Sequence, residues 1–193
     1  MTETGIVALV GVAATLLSGL GAAWLTNRSA RQRDLDQRSM TLQREIRTLV
    51  VGVLIAARGW GGATTGLSTG LSLSKSKEQF SKNLLDLLDN STSGEDFQRF
   101  GDDLHAKLTD LQLLVADGSL AEVVDEMNDK MLKFWEEVLS PMSANLSGAH
   151  PDQAIRMKLA SEFTDAWLAL IRRLEETARK EIPRINGPRV AAR

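Results

Sequence analysis

The sequence predicts an all-α protein in which a single N-terminal transmembrane helix is followed by a cytosolic antiparallel helical bundle. Three observations predict it. Residues 5–25 run for 21 positions without a charge. Four later segments repeat apolar residues every three or four positions between recognisable capping residues. No segment shows the period-two alternation of a half-buried strand. At 193 residues the chain has room for one span and one domain large enough to bury a core.

The uncharged run is Gly5 to Leu25, GIVALVGVAATLLSGLGAAWL. As a helix it reaches about 31 Å, the thickness of a bilayer's hydrocarbon layer. Inside lipid every backbone polar group must be satisfied within the segment, so a helix is the conformation expected, with Trp24 at the interface. Only Glu3 precedes the run, whereas Arg28, Arg31, Arg33 and Arg38 follow it. Basic residues beside a span stay on the cytosolic side, which predicts a single-pass cell-membrane protein with its N-terminus outside. A cleaved signal peptide would carry positive charge before the run and small residues at its end, the reverse of this pattern. Gly11, Thr15, Gly19 and Ala23 repeat every four residues, a stripe on which a second membrane helix could pack closely.

Residues 26–58 form a basic juxtamembrane segment, predicted helical from about Ser29 to Ala57. It holds seven arginines against three acids, a net +4, while the rest of the chain is net acidic. The same arginines would meet lipid headgroups or simply set topology. Leu42, Ile46, Leu49, Val53, Ala56 and Trp60 trace a heptad seam, too short for a long coiled coil and suited to bundle packing. Residues 59–75, GWGGATTGLSTGLSLSK, read as a Gly/Ser/Thr-rich linker. Their Gly62, Gly66 and Gly70 also fit a close-packed or membrane-dipping helix.

The bundle domain is expected over 76–182. Its first helix runs from Lys77 to Asp89, with Ser76 and Gln79 as a capping box and Phe80, Leu84, Leu87 and Leu88 inward. The second, Gly94 to Ala116, takes Ser93 as N-cap and buries Phe97, Phe100, Leu104, Leu108, Leu111 and Val115, with Gly118 as terminator. The third, Leu120 to Leu139, has Ser119 and Glu122 as a capping box, an inward set of Leu120, Val123, Met127, Met131, Phe134 and Val138, and Pro141 as its stop. The last runs from Pro151 to Glu181, with Ile155, Leu159, Phe163, Trp167, Leu170 and Leu174 buried. Residues 183–193 form a flexible tail.

Chemistry is sparse. With no cysteine there is no disulfide, thiolate metal site or cysteine nucleophile. Gly66-Leu67-Ser68-Thr69-Gly70 matches G-x-S-x-G, with His105 and His150 downstream. A nucleophile elbow, however, needs a strand-to-helix turn above a sheet, and helices stand where that sheet should be. Asp102, Asp103 and His105 lie close together, and Asp102 shares a helix face with His105, but this is half of the carboxylate and histidine set that a bundle metal site requires. Met127, Met131, Met142 and Met157 fit core filling better than a partner groove. Trp135 and Trp167 are also assigned to the core, although an exposed tryptophan would mark a contact surface. Asn27, Asn90 and Asn145 head glycosylation triplets that a cytosolic domain would leave unmodified.

The expectation is therefore a non-enzymatic, membrane-anchored helical module that binds a protein partner, or its own copies, at the cytosolic face of the lipid bilayer. No catalytic residue, metal, cofactor, nucleic acid or small-molecule ligand is inferred. The alternatives are an oligomeric pore-forming effector built on the two small-residue stripes and, further off, a serine hydrolase using Ser68.

Overall fold

The computed structural model describes the backbone of residues 3–115, 117–148 and 151–185, with side chains from residue 30 onward in those ranges. The described residues are mostly helical and contain no strand. The helices are α1 (Glu3–Ser72), α2 (Lys77–Asn90), α3 (Thr92–Leu114), α4 (Ser119–Leu132), α5 (Ser140–Leu146) and α6 (Gln153–Glu181). A π-helical turn, Trp135–Leu139, leads into α5, and a 3₁₀ turn, Ile182–Arg184, follows α6.

Two compact units emerge, residues 1–44 with 185–193, and residues 45–184. In the first, the Ser39 hydroxyl and the Gln43 carboxamide donate to the Ile185 carbonyl at 3.1 and 2.8 Å. The side chains of Gly5–Leu25 lie outside the described residues. By length and composition α1 can cross a membrane, on the evidence of its Ala30–Ser72 portion. In that portion 39 % of the most apolar window is buried inside the fold, so its apolar character also serves the core.

The second unit begins at residue 45, not at 76. The predicted linker over 59–75 is instead α1 as far as Ser72, and no boundary falls at residue 58. Ile46, Val50, Val53, Ala57, Trp60, Thr64, Leu67 and Leu71 are all buried, a strict alternation of four and three. The heptad seam therefore runs on through the glycine-rich stretch; Ile46, Val53, Ala56 and Trp60 of the predicted seam are buried, and only at half-buried Leu49 does the core take the next residue, Val50, instead.

Glycine there permits close approach. A Cβ at Gly59 would stand 2.6 Å from the Phe100 ring, and one at Gly61 would stand 2.7 Å from Trp167 Cδ1. With Gly61 bare, the Trp167 indole N–H reaches past it to the Ala57 carbonyl at 2.9 Å. Small residues here admit aromatic rings against a helix backbone, which compensates for their low helix propensity. The rings form one cluster: Trp60 packs edge-on to Trp167 at 4.7 Å and touches Phe97, Phe134 and Phe163 at 6.0, 5.8 and 6.1 Å. Such pairs add about 0.5–1.5 kcal/mol each beyond area burial.

The caps differ from expectation in instructive ways. Ser76 accepts from the Gln79 N–H as expected, but the Gln79 carboxamide turns to the Lys75 N–H. The N-cap of α3 is Ser91 instead of Ser93, and it accepts from the Gly94 N–H at 3.1 Å. Helix α4 lacks the Ser119–Glu122 box. Gly118, at φ 98°, sets its start. Glu181 of α6 then supplies the cap, accepting from the Leu120 N–H at 3.0 Å and from the Ser119 hydroxyl. A carboxylate is the favourable group at a helix N-terminus. Helix α6 begins at Gln153, with Asp152 as its N-cap.

Pro141 does not stop the chain. The Ser140 N–H reaches back five residues to the Trp135 carbonyl, and α5 begins with the proline in its first turn, where no N–H is required. Along α6 the buried stripe is Arg156, Ala160, Phe163, Trp167, Ile171, Leu174 and Ala178. Ile155 is thus exposed, and Leu159 and Leu170 only half-buried.

Candidate interaction surface

Of the residues singled out in the sequence, Arg31, Arg33 and Arg38 are exposed on α1, and Arg38 pairs with Asp34 at 3.0 Å. The Gly11, Thr15, Gly19 and Ala23 stripe and the Arg28 side chain lie outside the described residues, as does His150. Ser68 is buried near the C-terminal end of α1, where its hydroxyl donates to the Thr65 carbonyl at 3.3 Å. That conformation is a helix interior and gives no elbow. Asp102 and His105 are exposed. Among the described residues no group of three or more histidines, cysteines or acids is placed to hold a metal ion.

The methionines divide. Met127 and Met142 are fully buried, whereas Met157 is half exposed. Gly66 and Gly70 lie against Ser93 and Leu87. Asn145 is committed structurally, since its carboxamide oxygen accepts from Arg156 and from the Asp152 N–H.

The two tryptophans assigned to the core also separate. Trp167 is 1 % exposed and Trp135 55 % exposed. The π-helical turn explains the difference. Its extra residue lets Phe134, Val138 and Leu139 all face inward while Trp135 turns out. A signal for this was present, because Trp135 falls off the predicted stripe of Met131, Phe134 and Val138 and is followed by Glu136 and Glu137.

Trp135 heads a groove of 470 Å³ between α2 and the π-α5 segment. Phe80, Leu84, Leu85 and Leu139 supply its apolar wall, and Lys77, Ser81, Ser140 and Ser143 its polar edge. Leu85 is 61 % exposed, so two large apolar side chains border the same opening. Around the turn the charges are locally paired. Lys133 donates to Asp129 at 2.8 Å, a bond that holds its ammonium above the ordinary lysine value, and Lys130 pairs with Glu137. An apolar centre with hydroxyls and a single lysine at its edge is the composition of a protein-binding patch.

No known protein family, no curated protein and no solved structure matches this chain.

Proposed function

We propose that the protein is a membrane-anchored helical module whose antiparallel bundle stands on the cytosolic side and docks a protein partner through the groove headed by Trp135. One observation carries the reading: a tryptophan more than half exposed, opposite an exposed leucine, on a π-helical turn. Tryptophan is enriched among residues that dominate binding energy, and π-helical turns concentrate at functional sites. The tether rests on the uncharged run 5–25 and the arginines after it.

The test is a photocrosslinking residue installed at Leu85 in the full chain, in native membranes. A discrete adduct is expected at Leu85 and not at the exposed position Lys158. Trp135→Ala should weaken the captured complex by roughly 2 kcal/mol, about thirtyfold, while unfolding shifts by no more than about 0.5 kcal/mol. An adduct of twice the chain's mass would identify the partner as a second copy. Absence of any adduct, or an adduct indifferent to Trp135→Ala, rejects the reading.

A further inference from the structure

A second groove, of 520 Å³, opens between α3 and α4. Trp60 is its floor, Phe97, Met131 and Leu132 its apolar walls, and Asp102 and His105 its rim. Its volume falls within the range of small-molecule sites, which join an apolar lining to a few convergent polar groups.

Two features distinguish it from a packing defect. The first is charge. Of the three aspartates between residues 96 and 103, Asp96 is held by Arg99 and Asp103 by Lys107. Asp102 alone forms no ion pair among the described residues, and it is the one on the rim. The second is the Trp60 indole. Its side chain is 2 % exposed, and, unlike the Trp167 N–H, its N–H meets no acceptor among the described residues. That edge lies beneath Gly101, a further residue of the groove, where a Cβ would sit 3.5 Å from both Cδ1 and Nε1. Among the described residues the fully buried polar side-chain atom left without a partner is Asn128 Oδ1, not this N–H, so the Trp60 N–H reaches the groove it lines, where an acceptor on a ligand can meet it in place of water.

We infer that this groove binds a small arylalkyl ammonium that also carries an oxygen acceptor. The aromatic body lies among Trp60, Phe97, Met131 and Leu132. The ammonium pairs with the Asp102 carboxylate, and the oxygen accepts from the Trp60 N–H. An aromatic floor favours a cation near it, so the two attractions act together. The site is distinct from the Trp135 groove and stands or falls independently of it.

The probe is tyramine, titrated into the full chain labelled with ¹⁵N at its four tryptophans, in the phase from which the protein is recovered. The Trp60 indole resonance is expected to shift saturably while that of Trp135 stays still. Phenethylamine lacks the acceptor and 4-ethylphenol the cation, so each should bind several-fold more weakly. Asp102→Asn should weaken tyramine roughly tenfold, and Asp96→Asn should leave it unchanged.

Gly101→Ala separates binding from folding. Its methyl stands at ordinary contact distance over the indole edge and favours the helix, so Tm should hold or rise while tyramine binding falls to the phenethylamine level. An unmoved Trp60 signal, equal affinity in Asp102→Asn, or a response to a lysine-rich peptide and not to the amine overturns the assignment.

Discussion

Arg156 carries its charge into a site where it is 4 % exposed and, among the described residues, faces no carboxylate. Its Nε donates to the Ser72 carbonyl at 3.2 Å, one terminal nitrogen to the Ser74 carbonyl at 3.0 Å and the other to Asn145 Oδ1 at 2.8 Å. Ser72 ends α1, so the guanidinium meets carbonyls that have no partner in the helix itself and sits at the negative end of its dipole. Replacement by Met would strip the Ser72 and Ser74 carbonyls of this buried donor, while Asn145 Oδ1 would keep the Asp152 N–H. Arg156→Met should lower stability by about 2–4 kcal/mol in a denaturant titration. Arg156→Lys should recover only part of it, because an ammonium cannot span the same three acceptors. Nothing in the apolar periodicity announces this role. The pattern prefers Ile155 and Leu159, and the demand that displaces them comes from a helix end 84 residues earlier.

Where helices begin and end, local chemistry was legible when the cap is local. Ser76 caps α2 as its spacing foretells, while the start of α4 depends on Glu181, which no reading of residues 118–122 could supply. The first turn of α2 also makes this helix start sensitive to acid. Its own backbone N–H and the Ser76 hydroxyl hold the Glu78 carboxyl below the usual glutamate value of 4.5. A carboxyl depressed in the folded state contributes stability that is present above that usual value and is lost as pH falls through the folded one. Amide exchange at Phe80 should therefore quicken as pH drops from 6 to 3, after correction for intrinsic rates, and Glu78→Gln should flatten that dependence. Unchanged slopes in the variant would remove the claim. The glycine-rich stretch misled for a related reason. Glycine, serine and threonine signal a linker by composition, but here they make room for Phe100 and Trp167, whose positions are tertiary information.

Taken as a molecule, the all-helical class follows from the apolar periods alone, and so does most of the core, from Phe80 to Leu174. What the periods hide is that the core starts at Ile46, because an apolar face continuous with a candidate span looks the same whether it meets lipid or protein. The candidate surface was half legible, Trp135 lying off its stripe without any sequence sign of the Leu85 opposite. The proposed anchor has its own consequence. The full chain should remain in the membrane pellet after an alkaline carbonate wash, and a chain beginning at residue 30 should be released. Full-length protein in the wash would contradict the anchor while leaving the fold of residues 45–184 untouched.

Helix α6 supplies several partners to the last turns of α1: Trp167 against Ala57, Thr164 against Thr65, and Arg156 at Ser72. A ribosome adding roughly 5–20 residues per second needs on the order of 4–17 s between Ser72 and Arg156. For that interval the nascent chain shows an uncovered greasy ridge directly behind its own candidate insertion signal. Under the proposed anchor, the insertion machinery would have to tell two apolar stretches of one polypeptide apart before the closing helix has been made.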